Sequence, residues 1–214
     1  MKFYGYFRSS SAYRCRIAFN LKGLGYDFES VHLKSGAQKS TKYAALNPQK
    51  LVPTLVTDSG LELTQSLAII EWLDETYPEV SLLPGDIDLR AQVRAFAQII
   101  ACEIHPLQNL RVLKYIGANL NAGSDETSAW LGHWLYEGLE ACEAILQKNG
   151  RDTAFCFGDA PGLADLCLVP QVFSATRFGV DISTLTRINE INATCAALPE
   201  FRGAEPARQP DYEE

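Results

Sequence analysis

Three consecutive serines, Ser9, Ser10 and Ser11, follow Arg8 and are followed closely by Arg14 and Arg16. They come after a short strand-like run and open an amphipathic segment. This reads as a helix N-terminus with hydroxyl donors attached. Its free N–H groups and dipole favour an anion, so it can hold a thiolate, a phosphate or a carboxylate. Gln65-Ser66 precedes a second helical pattern and offers another N-terminus of the same kind. His105 and Asn109 are spaced i, i+4, which places both on one helical face, with Arg111 able to reach round on its long stem. His105 is also readable as satisfying a carbonyl freed by Pro106. Arg14 joins the serines as a catalytic candidate, although Arg14 and Arg16 read equally well as a structural pair.

The elements that must position these groups change character near residue 80. Lys2 to Tyr6 reads as a strand, and Ser9 to Lys22 as a helix stopped by Gly23 or Gly25. Phe28 to Leu33 is a second strand, followed by a polar loop, KSGAQKSTKY. Val52 to Val56 and Leu61 to Thr64 flank the turn Asp58-Ser59-Gly60, a hairpin signal. Pro53 cannot donate to a ladder and must lie at an edge or a strand start. Leu67 to Tyr77 is a helix stopped by Pro78. Residues 81–87 read as a linker. Beyond them the pattern is helical: about 88–120, bent at Pro106, then about 125–149, 162–178 and 184–197. A small α/β domain over 1–80 is therefore expected before an all-α domain over 88–214.

The chain has 214 residues, 47% of them hydrophobic, and a net charge of −7. That composition supports cored domains and argues against a general nucleic-acid surface. The longest apolar runs are too short for a membrane span, and the first residues read as a strand rather than a targeting peptide. The six cysteines form no C-x-x-C, and no histidine spacing fits a metal site. They read as reduced, buried residues of a cytoplasmic protein. Cys15, between Arg14 and Arg16, could have a lowered thiol pKa, but it lies inside the helix on its apolar face and reads as packing.

RSSSAYRCRIAFNLKG, LNPQKLVPTL, LTQSLAIIEWLDE, EIHPLQNLRVLKY and LADLCLVPQV stand in this order along the chain. Together they resemble the zeta class of the glutathione transferase superfamily, which comprises the maleylacetoacetate and maleylpyruvate isomerases. The resemblance runs to the QPD near the end. It departs at Ser11, where the family has cysteine, at Tyr13, where it has tryptophan, and at Gly162, where a stronger Ser/Thr cap is usual.

The resemblance implies an α/β thioredoxin-like N-terminal domain followed by an all-α helical C-terminal domain, the glutathione transferase fold, in a homodimer. It implies glutathione as cofactor and cis–trans isomerisation of a dicarboxylate by reversible thiolate addition. Ser9, Ser10 and Ser11 would keep the sulfur ionised, with Ser9 or Ser10 the principal donor. Gln38, Gln49, Val52, Pro53, Gln65, Ser66, His105 and Asn109 would hold glutathione. The Val52–Pro53 peptide is expected to be cis, presenting the Val52 N–H and C=O to the tripeptide. Arg8, Arg111 and Arg177 would clamp the substrate carboxylates, because guanidinium forks match them. Maleylacetoacetate is the favoured substrate. The alternatives are maleylpyruvate, a general transferase acting on electrophiles or α-haloacids, and a non-catalytic binder. A glutaredoxin-like enzyme is disfavoured because serines open the first helix.

Overall fold

Strand β1, Lys2–Gly5, points Phe3 and Gly5 inward. A Cβ on Gly5 would stand 3.1 Å from the Phe3 ring and 3.2 Å from that of Phe28. The residue is glycine because packing leaves no room there. In the computed structural model, which describes residues 1–150 and 152–213, β1 is an inner strand of a four-stranded sheet of order β2-β1-β3-β4. Its companions are β2, Asp27–Ser30, β3, Thr54–Val56, and β4, Glu62–Thr64. β1 runs parallel to β2 and antiparallel to β3, with Phe3 level with Phe28 and Leu55, and β4 pairs antiparallel with β3. Pro53 immediately precedes β3, at the strand start that its missing N–H requires.

Helix α1, Ser10–Leu21, is buried from Ser10 to Phe19. Gly23, at φ +64°, follows its C-cap and ends it. The expected polar loop contains a 3-10 turn, Ala37–Lys39, and a short helix α2, Thr41–Leu46, capped by Ser40. Helix α3, Ser66–Thr76, follows β4.

The chain divides into two units, Met1–Leu82 with Ala197–Glu214, and Leu83–Ala196. The last segment thus departs from the expected boundary of 88–214. Its helix α9, Pro199–Ala204, packs on α1, which also packs against α3. Buried Arg16 donates from Nε to the Ala204 carbonyl at 3.0 Å, and Asn20 donates to Glu200 O at 2.7 Å. A segment joined by such bonds belongs with α1 rather than with the helical unit.

That second unit contains α4, Ile87–Gln98, α5, Leu110–Asn119, α6, Ser124–Lys148, α7, Leu163–Arg177, and α8, Thr186–Ala197. Between α4 and α5 the single helix expected to bend at Pro106 is instead a π-helical turn, Ile99–Ile104, and a 3-10 turn, His105–Gln108. Pro106 has no N–H, and its ring crowds the carbonyl four residues back. The preceding turn widens accordingly, and His105 N–H bonds back five residues to Ile100 O. α6 crosses this turn so closely that a Cβ on Gly138 would collide with Ile104 Cγ1.

Gly162 is not the weak cap its identity suggests. Buried Asp165 accepts from the Gly162 N–H and the Cys156 N–H, both at 2.9 Å, which ties the loop before α7 to its first turn. Buried Glu143 of α6 does the same for α8, accepting from Arg187 N at 2.9 Å and Ile188 N at 2.8 Å. No described helix is long and apolar enough to cross a membrane.

Candidate active site

Ser9 is the N-cap of α1, and its Oγ accepts from the Ala12 N–H at 3.2 Å. It also lies 3.0 Å from Ser11 Oγ, and Ser11 donates to the Val52 carbonyl at 3.0 Å. Ser11 has one hydroxyl proton, and Val52 O takes it. In the Ser9–Ser11 contact Ser9 is therefore the donor. The arrangement is a relay, Ser9 to Ser11 to Val52, in which only Ser9 can turn its proton to a newcomer without breaking the tie to the loop. Ser10 is buried in the first turn of α1.

The Val52–Pro53 peptide is cis. The expectation that both Val52 backbone groups face the ligand is met in half. The carbonyl is engaged by Ser11, while the N–H of this buried residue finds no acceptor among the described residues. The loop leading to it is fixed from beneath. Tyr43 Oη and Asn47 Nδ2 donate to Leu51 O at 2.6 and 2.8 Å, and Asn47 Nδ2 also donates to Thr54 Oγ1 at 3.1 Å.

Arg14 is 1% exposed. Its Nη1 donates to Ser66 Oγ at 3.4 Å, while among the described residues Nε and Nη2 have no partner and no carboxylate is paired with it. A buried cation without a counter-charge is costly, and only an anion at this place offsets the cost. Ser66 opens α3, and neither α3 nor α1 has an acidic residue in its first turn. An acidic chain has kept both helix N-termini clear of its own carboxylates. Gln65, at φ +68°, holds a backbone conformation that non-glycine residues rarely adopt, and its Nε2 donates to Gln49 Oε1 at 2.7 Å. Gln38 is half-buried in the 3-10 turn, with its Oε1 lacking a donor.

Arg8 is half-buried with its guanidinium 5.1 Å from the centre of the Phe7 ring. The remaining candidates belong to the second unit. His105 and Asn109 do not share a helical face. Asn109 leaves the 3-10 turn in an extended conformation, φ −65° and ψ 139°, and caps α5 by accepting from Arg111 N at 3.1 Å. The i, i+4 argument fails because Pro106 breaks the helix on which it depended. Arg111 is exposed in the first turn of α5, the end where the helix dipole disfavours a cation, so helix stability does not account for it. Arg177 ends α7, where the dipole favours it, and lies 4.1 Å from the centre of the Phe178 ring. No group of three His, Cys, Asp or Glu side chains among the described residues could hold a metal.

Cys15 is buried, with Sγ 3.7 Å from Ser66 O, as packing requires. Burial pushes the Cys142 thiol up to about 12 and that of Cys195 higher still. Sequence reasoning did not single out Tyr43 and Asn47. Two polar residues in a loop-like stretch give no sign that they will be buried under a neighbouring turn.

The family model for the glutathione S-transferase N-terminal domain matches residues 3–81. The maleylacetoacetate isomerase of Pseudomonas aeruginosa is 46% identical, over 99% of this chain and 98% of its own. A solved holo maleylpyruvate isomerase, described as a bacterial glutathione S-transferase of the zeta class, is 46% identical over the whole of both chains, with a TM-score of 0.97. A maleylacetoacetate isomerase from Methylobacterium extorquens AM1, solved with bound malonate and glutathione, is 37% identical over the whole of both chains, with a TM-score of 0.96. With likeness of this degree end to end, on top of the serine relay and the cis-proline turn, the chain belongs to the zeta-class glutathione transferase family of maleylacetoacetate and maleylpyruvate isomerases.

Proposed function

We propose that this protein is a glutathione-dependent cis–trans isomerase acting on maleylacetoacetate. The observation that carries the reading is Arg14, a buried guanidinium lacking an anion, set behind an α3 N-terminus that lacks one too. The γ-glutamyl carboxylate of glutathione supplies that charge. The free N–H of Val52 pairs with the cysteinyl carbonyl in strand fashion. Gln65 edges the γ-glutamyl end, Gln38 and Gln49 are the candidates for the glycine end, and His105 and Asn109 are the remaining candidate contacts to the tripeptide.

Bound glutathione supplies a sulfur nucleophile whose reversible addition makes the conjugated double bond single long enough to rotate. The chain's own residues do the rest. Ser9 turns its hydroxyl proton toward the sulfur, and the α1 dipole adds to the preference for the anion, lowering a thiol that otherwise ionises at about 8.5. Arg8 and Arg111 bind the substrate carboxylates, and Arg177 joins them while remaining seated on Phe178. The positive groups also stabilise negative charge that develops on the substrate oxygens.

The 46%-identical maleylpyruvate isomerase favours a second reading in which maleylpyruvate is the substrate of the same site. The two diacids differ beyond the ketone. Comparison of kcat/KM for both, with glutathione present, separates the readings, and activity on neither refutes both. As part of this proposal the enzyme is a cytoplasmic homodimer serving tyrosine and phenylalanine breakdown.

A further inference from the structure

Asp211 lies near the end of the chain, far in sequence from every residue assigned above. One of its carboxylate oxygens accepts from the backbone N–H of Phe7 at 3.1 Å and from Ser30 Oγ at 2.8 Å, and its other oxygen is buried without a donor. The Phe7 peptide is held from the opposite side as well. Fully buried Arg16, whose guanidinium burial pulls down to about 10, donates from Nη2 to Phe7 O at 3.0 Å. Ser9 N closes a turn on Tyr6 O at 3.0 Å. Tyr212 sets its ring edge-on to Phe7, with centroids 5.4 Å apart. The segment reaches this place because Gln209 Nε2 binds Gly203 O and Glu205 O, at 3.1 and 2.9 Å, folding the chain back after α9. The turn that presents Arg8 and Ser9 is thus gripped by an anion from the end of the chain and a cation from α1. α1 and β1 alone leave the Phe7 N–H without an acceptor.

We propose that Asp211 is a positioning residue for the isomerase reaction, fixing the Tyr6–Ser9 turn so that the Arg8 guanidinium and the Ser9 hydroxyl are presented in register. It touches neither substrate nor glutathione and acts through the Phe7 peptide. The proposal rests on the functional reading above for its consequences, and on geometry alone for the clamp.

Three variants test it: Asp211→Ala, Asp211→Asn and, at the neighbouring end of the segment, Glu213→Gln. Asp211→Ala is expected to raise the KM for the diacid roughly tenfold, since small misplacements of a binding group are expensive. It should also raise the apparent thiol pKa of the glutathione complex, followed by thiolate absorbance at 240 nm. Asp211→Asn retains one oxygen acceptor and should recover most of both effects. Glu213→Gln, which faces His32 and Lys34 at the surface, should leave them at the wild-type level. Amide exchange at Phe7 to Ser10 in the glutathione-free protein should accelerate in Asp211→Ala. Wild-type KM, thiol pKa and exchange in a merely less heat-stable Asp211→Ala protein would overturn the proposal. Should the wild type isomerise neither diacid, the functional reading falls, while the exchange and thiol-pKa comparisons still decide whether Asp211 holds the turn.

Discussion

A serine hydroxyl has one proton to give, and at the start of α1 that fact separates Ser9 from Ser11. Ser11 gives its proton to Val52 O, whereas Ser9 gives its proton only to Ser11. Ser9→Ala should lower kcat about 100-fold and raise the apparent pKa of the bound thiol toward its solution value. Ser11→Ala should chiefly loosen the Val52 turn and raise the glutathione Kd. A Ser11→Ala protein that loses thiolate absorbance while Ser9→Ala keeps it would reverse the assignment. Arg14 gives a less ordinary prediction. Arg14→Met removes a buried cation without a counter-charge, so the glutathione-free protein should melt at a higher temperature. The same variant should bind glutathione at least tenfold more weakly, because the ligand carboxylate has lost its partner. A lower melting temperature with unchanged binding would make Arg14 structural. The serine run and the arginines were legible in the sequence, since residue type and order carry them. Which serine can redirect its proton, and that Arg14 pairs with no carboxylate among the described residues, were not, because both depend on residues more than 35 positions away. The reactivity of the cysteines follows from burial. Cys102 is exposed and the other five are buried, so brief alkylation of the native protein should label Cys102 alone, as read by peptide mass spectrometry.

At the scale of elements, strand and helix periods carried most of the first unit, and the hairpin around Asp58-Ser59-Gly60 was readable from its turn residues. Helix α2 was missed because its six residues lie in a polar stretch without a long apolar stripe, and its burial falls on Tyr43 alone. The π turn before Pro106 was missed for a different reason. Apolar spacing through Ile99, Ile100 and Ile104 continues a helix, and nothing in composition says that a proline will widen the turn ahead of it rather than only bend it. Gly138 of α6 leaves the space that Ile104 of that turn fills. Gly138→Ala should destabilise the protein by about 1–3 kcal/mol through collision with Ile104, and Ile104→Ala, which removes the colliding Cγ1, should cost less in the Gly138→Ala chain than in the wild type. Urea melts of the single and double variants check this, and simple additivity would refute direct contact. Asp165 shows how a cap can be misread from identity. Glycine at 162 suggested a weak start to α7, yet the carboxylate three residues on takes both N–H groups. Asp165→Ala leaves one buried and one half-buried N–H without acceptors and should cost about 2–3 kcal/mol.

The whole molecule joins a thioredoxin-like unit to a helical one, and the order of the five motif blocks was enough to read that architecture from the sequence. What the blocks did not reveal was that the end of the chain returns to the first unit. α9 and the QPD segment lie in a polar, proline-rich stretch whose partners are on α1, β2 and the β1–α1 turn. The central claim concerns a sulfur atom that the protein does not itself own, and it is tested most directly by removing it. The purified enzyme is freed of glutathione, and cis-to-trans conversion of maleylacetoacetate and maleylpyruvate is followed by proton NMR before and after glutathione is returned in less than stoichiometric amount. The account predicts no conversion without the tripeptide, many turnovers per glutathione once it is restored, and glutathione recovered unchanged. Equal conversion in its absence would contradict it.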